Sequence, residues 1–164
     1  MNTAKVDQLA AELGLLLQQK GYKVATAESC TGGGISFAIT SVAGSSHWFE
    51  QSLVTYSNEA KQRCLGVSEE TLRVHGAVSE ATVTSMVKGL ADITQAELCI
   101  AVSGIAGPGG GTLDKPVGMV WLAWCLRGKV EPQCFHFEGN RDEVREFSIE
   151  QALQGAISRL ESER

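Results

Sequence analysis

Apolar residues recur every three or four positions between Thr3 and Lys20, at Val6, Leu9, Ala10, Leu13, Leu16 and Leu17, and Gly21 ends the run. That spacing predicts an amphipathic helix covering one face of a sheet. Lys23 to Ala27 predicts a short strand. Gly33 to Thr40 opens a second helix, with Ile35, Ala38, Ile39 and Val42 on one face. The segment Ala43–Phe49 predicts a loop folding back on the core, with Trp48 and Phe49 as packing residues. Glu50 to Tyr56 predicts a second strand, and Ser57 or Asn58 caps a helix that begins there. Ser68 to His75 predicts a short helix closed by Gly76. Ser79 caps another, with Val83, Met86, Val87, Leu90 and Ala91 on its apolar face. Leu98 to Val102 is continuously apolar at strand length, the pattern of a central strand covered on both faces. Met119–Leu126 and Gln133–Phe137 predict two strands joined as a hairpin around Arg127-Gly128. Asn140-Arg141-Asp142-Glu143 reads as a capping box opening the last helix, whose stripe is Ile149, Ala152, Leu153, Ala156, Ile157 and Leu160. Helices alternating with strands and closing on a hairpin imply an α/β fold: a three-layer α/β/α sandwich with a mixed central sheet.

Composition narrows the picture. The 164 residues suit one domain, spanning 1–164, with 43% hydrophobic residues and a sound core. No apolar run is long enough to cross a membrane, and no apolar signal core opens the chain. The five cysteines form no CxxC pair, which fits reduced thiols and an expected cytoplasmic location. The three histidines have no ligand spacing, so no metal site is expected. A net charge of −5 argues against nucleic acid as the main partner. It leaves room for an anionic small ligand held by a few local cations.

The richest chemistry sits at Thr26-Ala27-Glu28-Ser29-Cys30-Thr31-Gly32-Gly33. Ser29 falls where a strand turns into a helix. A hydroxyl there suits two tasks. It caps the helix by accepting a backbone N–H, or it points into a crevice at the strand ends as a nucleophile, with free N–H groups beside it for an oxyanion. Spacing alone favours the cap. Lys61 lies one turn beyond the end of the second predicted strand. If that strand neighbours the first, Lys61 and Tyr56 reach Ser29. A glycine-rich stretch, Ser103-Gly104-Ile105-Ala106-Gly107-Pro108-Gly109-Gly110-Gly111, follows the central strand and reads as a ligand loop without a Walker or dinucleotide spacing. Arg141 and Arg145 stand one turn apart at a helix start. Cations there oppose the helix dipole, so either a bound anion or a solvated face accounts for them.

Six segments together resemble the C-terminal domain of the CinA (competence-damage-inducible) family: Thr26–Gly33, Ala43–Phe49, Thr55–Lys61, His75–Glu80, Ser103–Gly111 and Lys115–Gly118. They occur in family order through most of the chain. The resemblance implies hydrolysis of the carboxamide of nicotinamide mononucleotide to nicotinate mononucleotide and ammonia, with no cofactor. It carries catalytic roles onto Ser29 and Lys61, with Tyr56 nearby. The chain departs from the family at Leu113, where proline is commoner, and at Asn140, often Asp. Residue chemistry agrees with the implied reaction. A neutral Lys61 takes the Ser29 proton, and the Cys30 and Thr31 N–H groups hold the oxyanion. Cys30 is a competing nucleophile, ranked below Ser29. Cys30, Thr31, Gly32, Ser103, Gly104, Arg141 and Arg145 are the expected substrate contacts, with the backbone N–H groups of Gly104 to Gly111 and the two arginines as the candidate phosphate partners. The expected partners are the small-molecule substrate and further copies of the chain, without nucleic acid or membrane. A nucleotide sensor without turnover, or an interaction module for competence or DNA repair, is the alternative class.

Overall fold

The structure, a computed structural model, describes residues 3–163. Helix α1 (Thr3–Lys20) leads into strand β1 (Val24–Glu28), helix α2 (Gly34–Thr40) and strand β2 (Phe49–Val54). Three helices follow, α3 (Asn58–Leu65), α4 (Glu69–His75) and α5 (Glu80–Thr94), then strands β3 (Leu98–Gly104), β4 (Met119–Leu126) and β5 (Lys129–His136) and helix α6 (Arg141–Ser162). The sheet order is β2-β1-β3-β4-β5. The first three strands are parallel and the last two antiparallel, so the sheet is mixed as expected.

Each sheet face has its own core. Helices α1, α2 and α6 cover one face through Leu13, Leu17, Ile39, Leu153, Ile157 and the buried Trp48. Helices α3, α4 and α5 cover the other through Leu65, Leu72, Met86, Val87 and Leu90. Strand β3 is the middle strand and is buried from Leu98 to Ser103, which is why its sequence does not alternate. Trp124 is in the first core, where its indole N–H donates to the Ala152 carbonyl at 3.0 Å. Trp121 packs at the edge of the second.

Boundaries differ from the sequence expectation where pairing overrides composition. Strand β5 starts at Lys129, four residues before the predicted Gln133, because a two-residue turn at Arg127 and Gly128 sets Leu126 opposite Lys129. Both turn residues have positive φ, 49° and 89°, the geometry that matches the strand twist. Pro132 is tolerated there because β5 is an edge strand. The capping box of α6 is as predicted: Asn140 accepts the Glu143 N–H at 2.9 Å and Glu143 accepts the Asn140 N–H at 3.0 Å.

The chain order places the site. From β1 the chain passes through α2 to β2 on one side. It then returns across α3–α5 to β3 on the other side of β1. The connections therefore diverge at the carboxyl end of β1, and a crevice opens there. Ser29, Thr55 and Tyr56, and Ser103 and Gly104 all stand at the carboxyl ends of these three parallel strands.

Candidate active site

Ser29 follows the last residue of β1, and its N–H donates to the Val102 carbonyl of β3 at 3.1 Å. On the other side, the Thr55 N–H donates to the Glu28 carbonyl at 2.9 Å. The backbone at Ser29 is thus pinned to both neighbouring strands. Lys61 arrives from the first turns of α3, a helix capped by Ser57, which accepts the Ala60 N–H at 3.0 Å. Its side chain is 1% exposed. Its Nζ lies 3.1 Å from Ser29 Oγ, 2.8 Å from the Thr55 carbonyl and 3.0 Å from the Tyr56 carbonyl.

These contacts hold a buried amine against the Ser29 hydroxyl. Burial disfavours the ammonium and lowers the Lys61 pKa from the ordinary lysine value. The amine donates to the two carbonyls and to Ser29 Oγ, three partners for one buried nitrogen. The competing nucleophile is in a different state. Cys30 is buried, and burial pushes its thiol up to about 11, so it stays protonated near neutral pH.

The capping role that spacing favoured for Ser29 is not what the structure shows. Helix α2 begins at Gly34, and its N-cap position, Gly33, offers no side chain. The cap comes from Glu28, which sequence reasoning passed over. Its carboxylate is fully buried and accepts the Ile35 N–H at 2.8 Å and the Ser36 N–H at 2.9 Å. The hydroxyl of Thr31 donates to it at 2.6 Å and that of Thr26 at 3.2 Å. The sequence did hold a signal: a carboxyl group ending a strand that is otherwise small and apolar needs internal donors.

The expected substrate residues divide into two groups. Ser29, Cys30, Tyr56, Lys61, Ser103 and Gly104 line one cleft of about 270 Å³, with Gly107, Gly109 and Gly110 of the glycine-rich loop and Arg141 of α6. Arg141 donates to the Gly107 carbonyl at 2.7 Å and to the Tyr56 hydroxyl at 3.2 Å. Thr31 and Gly32 are not part of that lining. Nor is Arg145, which donates instead to the carbonyls of Cys30 at 3.1 Å and Thr31 at 3.4 Å. It braces the Ser29 loop from behind because α6 runs under the loop, a placement that helix spacing does not encode. A larger hollow of about 720 Å³ lies by the β4–β5 turn and the end of α6. Its charges are already paired, Arg159 with Glu131 at 2.9 Å and Arg127 with Glu163 at 3.9 Å, and it contains none of the Ser29 machinery. Among the described residues, no group of three or more His, Cys, Asp or Glu could hold a metal ion, and no helix is long and apolar enough to cross a membrane.

The profile of the CinA C-terminal domain matches residues 6–160. The chain belongs to that family. Within it, the chain is 47% identical over 157 residues to the nicotinamide-nucleotide amidohydrolase PncC of Escherichia coli K12, with 94% of each chain covered. It is 48% identical over 152 residues to PncC of Pseudomonas putida, covering 93% of this chain and 95% of the relative. A CinA-like protein of Syntrophobacter fumaroxidans is 45% identical over 141 residues, and there the match spans only 33% of the relative. The crystal structure of competence damage-inducible protein A from Klebsiella pneumoniae superposes with a TM-score of 0.94 at 39% identity, covering 97% of this chain and 99% of that one. The two departures of this CinA domain are accounted for locally. Asn140 caps α6 as an aspartate would. Leu113, two residues past the glycine-rich stretch, is fully exposed.

Proposed function

We propose that this CinA domain hydrolyses the carboxamide of nicotinamide mononucleotide, giving nicotinate mononucleotide and ammonia, with Ser29 as nucleophile and Lys61 as base. The observation that carries the reading is the buried 3.1 Å contact between Ser29 Oγ and Lys61 Nζ, with the other amine donors held by two carbonyls. The similarity to PncC enzymes supports the substrate.

Neutral Lys61 accepts the Ser29 hydroxyl proton as Oγ bonds to the carboxamide carbon. The carbonyl oxygen becomes an oxyanion held by the Cys30 and Thr31 N–H groups. The tetrahedral adduct collapses: the C–N bond breaks, the Lys61 proton passes to the leaving nitrogen, and ammonia departs. Water then adds to the acyl ester, giving its proton to Lys61; the C–Oγ bond breaks as that proton passes to Oγ, which restores Ser29 and neutral Lys61, and the acid product loses its own proton to solvent as the carboxylate. The Tyr56 hydroxyl, oriented by Arg141, stands on the cleft wall as a second donor for the leaving group. Arg141 at the cleft and the glycine-loop N–H groups serve the phosphate. Ammonia release from nicotinamide mononucleotide by the unmodified chain, and its loss in Ser29→Ala, tests the reading. Binding without any ammonia release overturns it in favour of a sensor.

A further inference from the structure

We propose that Glu28 is a positioning residue, whose buried carboxylate ties together the two ends of the Ser29–Gly33 loop and so holds the Ser29 hydroxyl against the Lys61 amine. The inference rests on the reading of Ser29 as nucleophile, not on the identity of the substrate. The loop leaves β1 at Glu28 and enters α2 at Gly34. The Glu28 backbone carbonyl is bound to β2, through Thr55 N, so the loop entry is fixed to the sheet. Its side chain reaches over the loop to the N–H groups of Ile35 and Ser36, so the loop exit is fixed to the same residue. Inside the loop, the Thr31 hydroxyl is drawn to Oε1 at 2.6 Å. One residue therefore governs entry, middle and exit.

The donors around the side chain require two acceptor oxygens. Oε1 accepts Ile35 N–H and Oε2 accepts Ser36 N–H. A glutamine has one acceptor oxygen and one NH2 group. Whichever way its amide is turned, one backbone N–H of α2 meets a donor in a buried site. The helix start must then move, and the loop carrying Ser29 moves with it. With Ser29 Oγ only 3.1 Å from its base, a shift of a few tenths of an ångström is enough to weaken the proton transfer.

Labelling with a fluorophosphonate reads Ser29 directly, since the reagent needs an activated serine and no nucleotide recognition. The rate of labelling at Ser29, located by mass spectrometry, is compared in the unmodified chain, Glu28→Gln, Ser52→Ala and Ile157→Val, beside thermal melts and ammonia release. Glu28→Gln is expected to slow labelling and lower kcat by roughly ten- to a hundredfold, the weight of a lost charge-assisted bond, with KM changed little. Ser52→Ala removes the 3.5 Å contact to the same carboxylate and the 2.7 Å bond from the Thr26 hydroxyl but leaves the Ile35, Ser36 and Thr31 bonds to Glu28, and it is expected to label at the unmodified rate. Ile157→Val, remote in the α6 core, lowers stability without touching the loop and is also expected to label normally. If Glu28→Gln does not fold, Thr31→Val takes its place, with slower labelling expected at a retained melting temperature. Equal labelling rates in a folded Glu28→Gln, or in Thr31→Val where that variant is needed, overturn the proposal. So does a loss in Ile157→Val as large as that in Glu28→Gln. Ser29 labelling that slows in Glu28→Gln while the unmodified chain releases no ammonia keeps the positioning role and removes the substrate assignment alone.

Discussion

Two carbonyl oxygens decide what Lys61 can do. Thr55 and Tyr56 hold the amine in place, and burial lowers its pKa below the ordinary lysine value of 10.5. In the proposed mechanism the neutral amine is the working form, so kcat/KM is expected to rise with pH and level off above the Lys61 pKa, short of that ordinary value. A pH–rate profile checks this; an activity that falls over the same range contradicts a lysine base. Stability moves in the same direction. Between the lowered folded pKa and 10.5 the unfolded chain binds the extra proton, so folding becomes more favourable as pH rises through that window. Cys30 acts oppositely: its raised pKa removes stability as pH climbs from 9.0 toward about 11. Comparing denaturation midpoints of the unmodified chain and Lys61→Met across pH isolates the lysine contribution, which is expected as a pH-dependent rise present only in the former. At this scale the family resemblance singled out Ser29 at a strand end and Lys61 on the helix that follows the second strand, but the sequence did not reveal Glu28, whose bonds come from donors seven and eight residues away meeting its two oxygens.

Helices carry the site residues to their places, so helix packing tests them. Arg141 and Arg145 share one turn of α6 yet face different tasks, one in the cleft and the other on the loop carbonyls. Arg141→Ala is expected to raise KM for the nucleotide by roughly ten- to a hundredfold, with a smaller effect on the phosphate-free riboside. Arg145→Ala is expected to lower kcat on both substrates alike, because it frees the Cys30 and Thr31 carbonyls. Steady-state kinetics on the two substrates distinguishes these patterns, and a phosphate-selective loss at Arg145 would contradict the placement. Helix α3, which supplies Lys61, is seated against Gly89 of α5 so closely that an added Cβ would clash with the Leu65 carbonyl oxygen. Gly89→Ala is therefore expected to push α3 outward, costing about 1–3 kcal/mol of stability by overpacking and reducing ammonia release with it. A thermal melt beside the amidase assay reads both. Neither the division of labour on α6 nor the α3–α5 contact was legible in periodicity, which gives a face and not the neighbour it meets.

The whole molecule brings three parallel strand ends to one cleft. No metal-holding group is formed among the described residues, so amide hydrolysis is expected to survive exhaustive chelation; loss on chelation, restored by one added divalent ion, would contradict it. The sequence by itself determined the elements and the layers. Helical stripes, a continuous apolar run at Leu98–Val102, the Asn140 capping box and the Arg127-Gly128 turn are encoded by neighbours in the chain, and periodicity and local hydrogen bonding read them directly. The family motifs likewise marked Ser29, Lys61 and the glycine-rich loop. Only the tertiary structure decided the order β2-β1-β3, which brings Ser29, Lys61 and Ser103 to one cleft from positions dozens of residues apart. It also decided that Ser29 is free of a capping bond, because a buried carboxylate from the preceding strand satisfies α2 instead. These outcomes depend on which groups are desolvated together, and burial is a property of the packed layers rather than of any stretch of chain.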